Sequence, residues 1–206
     1  MHQRQWDNIA EDVNFNLKID LERFLKDVSL DSKVLDFGCG YGRVGKLLLD
    51  AGYSNIVGVD SSARMIERGR REFPELQLET FIGAVLPYPD NSFDAVVACA
   101  VFSCITCQEI RNDQIKELFR VLKPEGLLHM VEFCSDSSKL FTASIGVPML
   151  HSTPLELKEL TGMLQLVSEE VVSTITMGGN SASAYSLFAR KSLNKPLKND
   201  AGKRAF

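Results

Sequence analysis

The stretch Val34-Leu35-Asp36-Phe37-Gly38-Cys39-Gly40-Tyr41-Gly42-Arg43-Val44 constrains this chain more than any other. An apolar run ends in an acid, three alternating glycines follow, and a helical pattern begins. Glycine takes up left-handed backbone without steric cost and lets the main chain come close to a ligand. Directly after a strand, such a turn marks a nucleotide-type cofactor site at the carboxyl edge of a parallel sheet. An α/β fold is therefore expected, and the question is which cofactor the turn holds.

The rest of the pattern agrees. Strands are expected at 34–37, 55–59, 76–82, 93–101 and 127–133, with helices at 42–49, 61–73 and 109–122 between them. Alternation of this kind implies a parallel sheet wound on both sides. Upstream, Ile9, Val13, Leu17, Leu21, Leu25 and Val28 space one or two helices over 5–28. Residues 135–150 read as irregular. Thr153-Pro154-Leu155-Glu156 opens a helix with a cap, a first-position proline and a third-position glutamate. Strands at 167–176 and 184–189 flank Gly178-Gly179-Asn180, which suits a hairpin. A short connection joins only antiparallel neighbours, so one of these two strands must run against the rest. The expectation is a doubly wound, mostly parallel seven-stranded sheet with one antiparallel strand, plus N-terminal helices.

Composition narrows the function. The 206 residues carry a net charge of −4, which argues against nucleic acid as a partner. Residues 191–206 hold five of the basic side chains and read as a basic, flexible tail or an electrostatic contact for an anionic partner. No apolar run is long enough to span a membrane, and acids near the start exclude a secretory signal. Five cysteines do not make a disulfide scaffold, so a cytoplasmic setting is expected.

The glycines permit two registers. Gly40-Tyr41-Gly42-Arg43-Val44-Gly45, with Asp60 about twenty residues on, matches the dinucleotide fingerprint. That register leaves Asp36 and Gly38 idle and sets an acid beside a pyrophosphate, which it would repel. Asp36 suits a cationic ligand end. Asp60, at a strand tip, suits a ribose, because a carboxylate offers two acceptor oxygens and no donor.

At these residues the chain resembles the class I S-adenosylmethionine-dependent methyltransferases, in their small-molecule, ubiquinone-biosynthesis-like branch. The stretch 34–42 is similar to motif I, and Val57-Gly58-Val59-Asp60-Ser61-Ser62 to the acidic motif that follows it. Leu86-Pro87-Tyr88-Pro89-Asp90-Asn91-Ser92-Phe93-Asp94 and Phe119-Arg120-Val121-Leu122-Lys123-Pro124-Glu125-Gly126 resemble the entries to the fourth and fifth strands. The resemblance implies a Rossmann-like methyltransferase fold, a single domain over 1–190 with 1–29 as a helical cap, and S-adenosylmethionine as cofactor. It implies that Asp36, Gly38, Cys39 and Gly40 lie along the methionine moiety and that Asp60 holds the ribose. Ser61 and Met65 would flank the adenosine, with Gly83 and Ala84 near the adenine. Relatives often carry an Asp where this chain has Ile82.

The implied reaction is methyl transfer to an O, N or C nucleophile of a small molecule. His151, just before a helix start that favours neutral imidazole, is the candidate base. Trp6, Phe102 and Glu132 are the candidate substrate contacts. Cys104-Ile105-Thr106-Cys107 is a lone C-x-x-C, too weak a pattern for a metal, and none is expected. Two alternatives stand beside this reading: an NAD(P)-dependent oxidoreductase, and a non-catalytic S-adenosylmethionine-binding protein. The oligomeric state is not legible.

Overall fold

The computed structural model describes residues 2–192. Six α-helices are present among the described residues: α1 (Gln3–Ile9), α2 (Leu21–Asp27), α3 (Arg43–Asp50), α4 (Ala63–Glu72), α5 (Gln108–Val121) and α6 (Pro154–Leu160). Seven strands form one sheet: β1 (Lys33–Phe37), β2 (Asn55–Asp60), β3 (Gln77–Thr80), β4 (Phe93–Cys99), β5 (Leu122–Cys134), β8 (Gln165–Ile175) and β9 (Ser181–Arg190). Their order is β3-β2-β1-β4-β5-β9-β8. The first five are parallel. β9 runs antiparallel to both β5 and β8, so it is the one reversed strand.

Period-two alternation divides the sheet between two cores. Leu35, Phe37, Val96, Ala98, Leu128 and Met130 face Ile115, Leu118 and Val121 of α5. Val34, Ala95, Val97, Leu127 and Val131 face Phe24 of α2 and Val44 and Leu48 of α3. Asp36, the next residue of β1 on that second face, is carried to the sheet's carboxyl edge beside α3.

The 5–28 pattern is two short helices, one of the two arrangements expected, joined by a non-helical stretch. Asp20 starts the second by accepting from the Arg23 amide at 3.0 Å. Three local expectations are corrected. The 135–150 stretch contains a two-stranded antiparallel hairpin of β6 (Lys139–Thr142) and β7 (Pro148–His151). The fifth strand, expected at 127–133, begins at Leu122 and takes in Pro124-Glu125-Gly126, with left-handed backbone at Glu125 (φ 63°) and a register shift opposite Phe93 and Ala95. Lys191 is anchored to the domain. Its amide donates to Gly126 O at 2.9 Å and its Nζ to Leu122 O at 2.7 Å. The remainder of the expected tail, 193–206, lies outside the described residues. Among the described residues no helix is long and apolar enough to cross a membrane, and no cluster of metal-binding side chains occurs.

Candidate cofactor and acceptor site

Between β1 and α3, Gly38, Gly40 and Gly42 all have positive φ, at 67°, 56° and 88°. The left-handed Gly38, which the shifted register leaves out, belongs to the turn and favours the alternating glycines. The Cys39 amide donates to Val59 O at 3.0 Å and ties the turn to the end of β2.

Asp60 occupies that strand end. Its carboxylate accepts from the Gly40 amide at 2.9 Å and the Ser62 amide at 2.8 Å. One acceptor site on each oxygen is used, which leaves roughly half of its lone-pair positions for a ligand. Asp36 is 1% exposed and accepts from the Gly45 amide at 2.9 Å. Burial pushes its carboxyl up to about 7, against the Gly45 N–H and the Arg43 guanidinium. Arg43 is itself engaged, donating to Leu17 O and, at 3.7 Å, to Cys99 Sγ.

Both acids line one cavity of about 1140 Å³, counting its open mouth, and so do Gly38, Cys39, Gly40, Ser61 and Met65. The N-terminal strap roofs it. Trp6 meets Phe15 edge-on at 5.8 Å, and Phe15 stacks on Tyr41 at 5.4 Å. Phe15 lies so close over the turn that a Cβ on Gly40 would approach its ring to 2.6 Å. The far end of the cavity is apolar and rich in sulfur, with Cys99, Cys104, Ile105, Phe133, Met149 and Met177 in its wall.

Five sequence-predicted residues stand elsewhere. Glu132 is wholly buried, and its carboxylate accepts from the amides of Val101, Phe102 and Ser103 at 2.8, 2.8 and 2.9 Å. It shapes the turn after β4, next to left-handed Ala100 (φ 59°), and has no face toward the cavity. Phe102 is core, packed on Phe37 with centroids 6.3 Å apart. Gly83 and Ala84 are exposed and off the cavity wall, where Phe81 stands instead. His151 sits behind the wall, stacked on Phe133 at 5.6 Å and edge-on to Phe141 at 4.8 Å. Burial, then Lys139, holds its imidazole below the ordinary histidine range, so it is neutral as expected but for a different reason.

Sequence reasoning missed His2, Asn16, Arg43 and Phe81, all on the cavity wall. Arg43, directly after the glycines, was the one with a positional signal. His2 contacts Thr106 Oγ1 at 3.4 Å, and burial lowers its pKa.

The Methyltransferase domain family matches residues 35–130. Demethylmenaquinone methyltransferase of Paenarthrobacter aurescens is 36% identical over 107 residues, covering 52% of this chain and 41% of that protein. The ubiquinone/menaquinone biosynthesis C-methyltransferase of Pseudomonas savastanoi pv. phaseolicola is 30% identical over 150 residues, covering 66% of this chain and 56% of that one. The chain thus spans about half the length of these curated relatives. A crystal structure of an S-adenosylmethionine-dependent methyltransferase from Methanosarcina mazei superposes with a TM-score of 0.77 at 24% identity, over 87% of this chain and 100% of that one.

Proposed function

We propose that this chain is a class I S-adenosylmethionine-dependent methyltransferase and that it methylates an O, N or C nucleophile of a small, largely apolar molecule. One observation carries the reading. Two carboxylates, Asp36 buried and Asp60 half-buried, flank a left-handed glycine turn on the wall of a cavity whose far end is apolar. That donor set fits the cofactor. Asp60 has free acceptor positions for a ribose, and Asp36 faces the cavity where a cationic end would relieve its burial. A pyrophosphate at the same turn would be repelled by Asp36, which disfavours a nicotinamide cofactor.

When bound, S-adenosylmethionine supplies a methyl carbon on a sulfonium leaving group. The chain's own residues bind, orient and exclude water. Asp60 holds the ribose, Ser61 and Met65 line the adenosine side, and the Trp6–Phe15 pair closes the top. Positioning two reactants in near-attack geometry supplies much of the rate in such a displacement. Where the nucleophile must lose a proton, we assign the base to His2 in preference to His151, since only His2 reaches the cavity wall. We treat 1–190 as one catalytic domain under a helical cap, and the five free thiols support a cytoplasmic setting.

Asp60→Ala is expected to weaken S-adenosylhomocysteine binding by about 1.5–3 kcal/mol, the scale of hydrogen bonds to a charged group. Calorimetric titration measures it, and unchanged affinity refutes the ribose role. Product formation across a panel of phenols, amines and enolisable ketones tests catalysis. Binding without turnover on any of them would favour a non-catalytic protein. For a hydroxyl acceptor, His2→Gln should depress turnover while His151→Gln leaves it unchanged; the reverse ranking returns the base to His151.

A further inference from the structure

A second cavity, of about 730 Å³ counting its open mouth, lies behind the acceptor wall, between the first turn of α5, the hairpin and α6. Arg111 lines it and is 2% exposed. One of its nitrogens donates to Ser152 Oγ at 2.9 Å, while its buried Nε has no hydrogen-bond partner. Arginine is rarely buried to this degree without a paired anion. Its acidic neighbours do not supply one. Glu132 is committed to three backbone amides and Glu156 to Ser138 and Thr153, so both act on Arg111 only at longer range. The α5 N-terminus at Gln108 adds positive potential on the same side. Ser138 and Ser152 place hydroxyls in the wall, and Glu156 and Glu159 stand in it as well.

We propose that this cavity binds a small carboxylate, held by the unpaired guanidinium of Arg111. A monoanion is favoured over a dianion because the two wall glutamates repel the second charge. A planar carboxylate also matches the guanidinium fork. The location gives the site a consequence. β7 separates the two cavities, with Met149 on the acceptor side and Leu150 on the carboxylate side. The Arg111–Ser152 bond pins the chain just beyond β7 to α5, so an occupant there braces one wall of the acceptor pocket. The site does not depend on methyl transfer and is testable without it.

The test is an amide NMR titration of the whole 206-residue protein with sodium acetate, against sodium chloride and inorganic phosphate at matched ionic strength. Saturable shifts at Arg111, Ser138 and Ser152 are expected with acetate alone. Equal shifts with chloride, tighter binding of phosphate, or no saturation at these amides would each overturn the proposal. Arg111→Lys keeps the charge but loses Nε and the fork, and should abolish saturation. Because that change also touches the Ser152 pin, Glu159→Gln on the exposed rim is the second variant. It should tighten acetate binding by roughly two- to fivefold, the scale of removing one exposed like charge. Unaltered or weaker binding in Glu159→Gln counts against the site.

Discussion

At the scale of single residues, Asp36 carries the strongest consequence. Burial lifts its carboxyl to about 7, so near neutral pH it is partly protonated in the free protein. A cationic ligand end requires the carboxylate, and binding below that pH must expel a proton. Cofactor affinity is therefore expected to rise with pH and then level off, about tenfold weaker at pH 6 than at pH 8, one logarithmic unit below and above the folded value. Stability of the free protein runs the other way. The folded state holds this proton more tightly than the unfolded chain, so the contribution is complete below the ordinary aspartate range and is lost as pH rises through about 7. Calorimetry at the two pH values, in buffers of different ionisation heat, measures affinity and proton release together. Asp36→Asn should flatten both, and a flat profile in the unaltered protein removes the cation-facing role. Asp36 and Asp60 were legible in the sequence because their partners are local: the Gly45 amide is nine positions on, and the Gly40 amide twenty back. Glu132 and His151 were not. Glu132 finds its donors some thirty residues upstream, and His151 is set back from the cavity by the aromatic ring of Phe133. Neither arrangement leaves a mark on its own stretch of chain.

At the scale of elements, the N-terminal strap shows how little a helical pattern says about how a segment is held. α1 buries none of its own residues; the stretch after it is fastened from α4. Arg68 donates to Ala10 O at 2.8 Å, Val13 O at 2.6 Å and Asn14 Oδ1 at 3.1 Å, and lies 3.9 Å over the Tyr41 ring. Asp7 adds a bond from Ser62 Oγ at 2.6 Å. Arg68→Ala leaves the Ala10 and Val13 carbonyls without their partner, at a cost of about 1–3 kcal/mol for each that stays buried. The sheet does not pass through these contacts, so the loss should fall on the strap. Amide exchange over 2–16 is expected to accelerate while β1, β4 and β5 keep their protection. Unchanged exchange there would mean that the Asp7–Ser62 bond and the Trp6–Phe15–Tyr41 stack hold the roof without Arg68. The hairpin was illegible for a related reason. Its strands are four residues each, one opens on Pro148, and Leu140 is 66% exposed, so neither shows the alternation that marks a half-buried strand. The central parallel strands β1, β2 and β4, buried on both faces, declared themselves.

At the scale of the molecule, the cavity is assembled from distant parts of the chain: the strap at 2–17, the glycine turn, the end of β2, the loop after β4, Phe133, Met149 and Met177. No fragment smaller than the folded domain presents these walls together, so a ligand for this cavity binds the native state and not the unfolded chain. Occupancy must then appear as global stability. At a ligand concentration about one hundred times Kd the gain is about 2.7 kcal/mol. In a domain of this size each kcal/mol raises Tm by about 2–4 °C, so S-adenosylhomocysteine should raise it by roughly 5–11 °C. NADH and NADPH should leave it unmoved, since Asp36 beside the turn opposes a pyrophosphate. A scan with the three ligands on the same protein separates the readings. A shift from the nicotinamide cofactors alone would overturn the assignment of the turn. A shift from S-adenosylhomocysteine that shrinks in Asp60→Ala, in line with a loss of about 1.5–3 kcal/mol in affinity, would tie the stabilisation to that carboxylate, whose remaining acceptor positions are the ones open to a ribose.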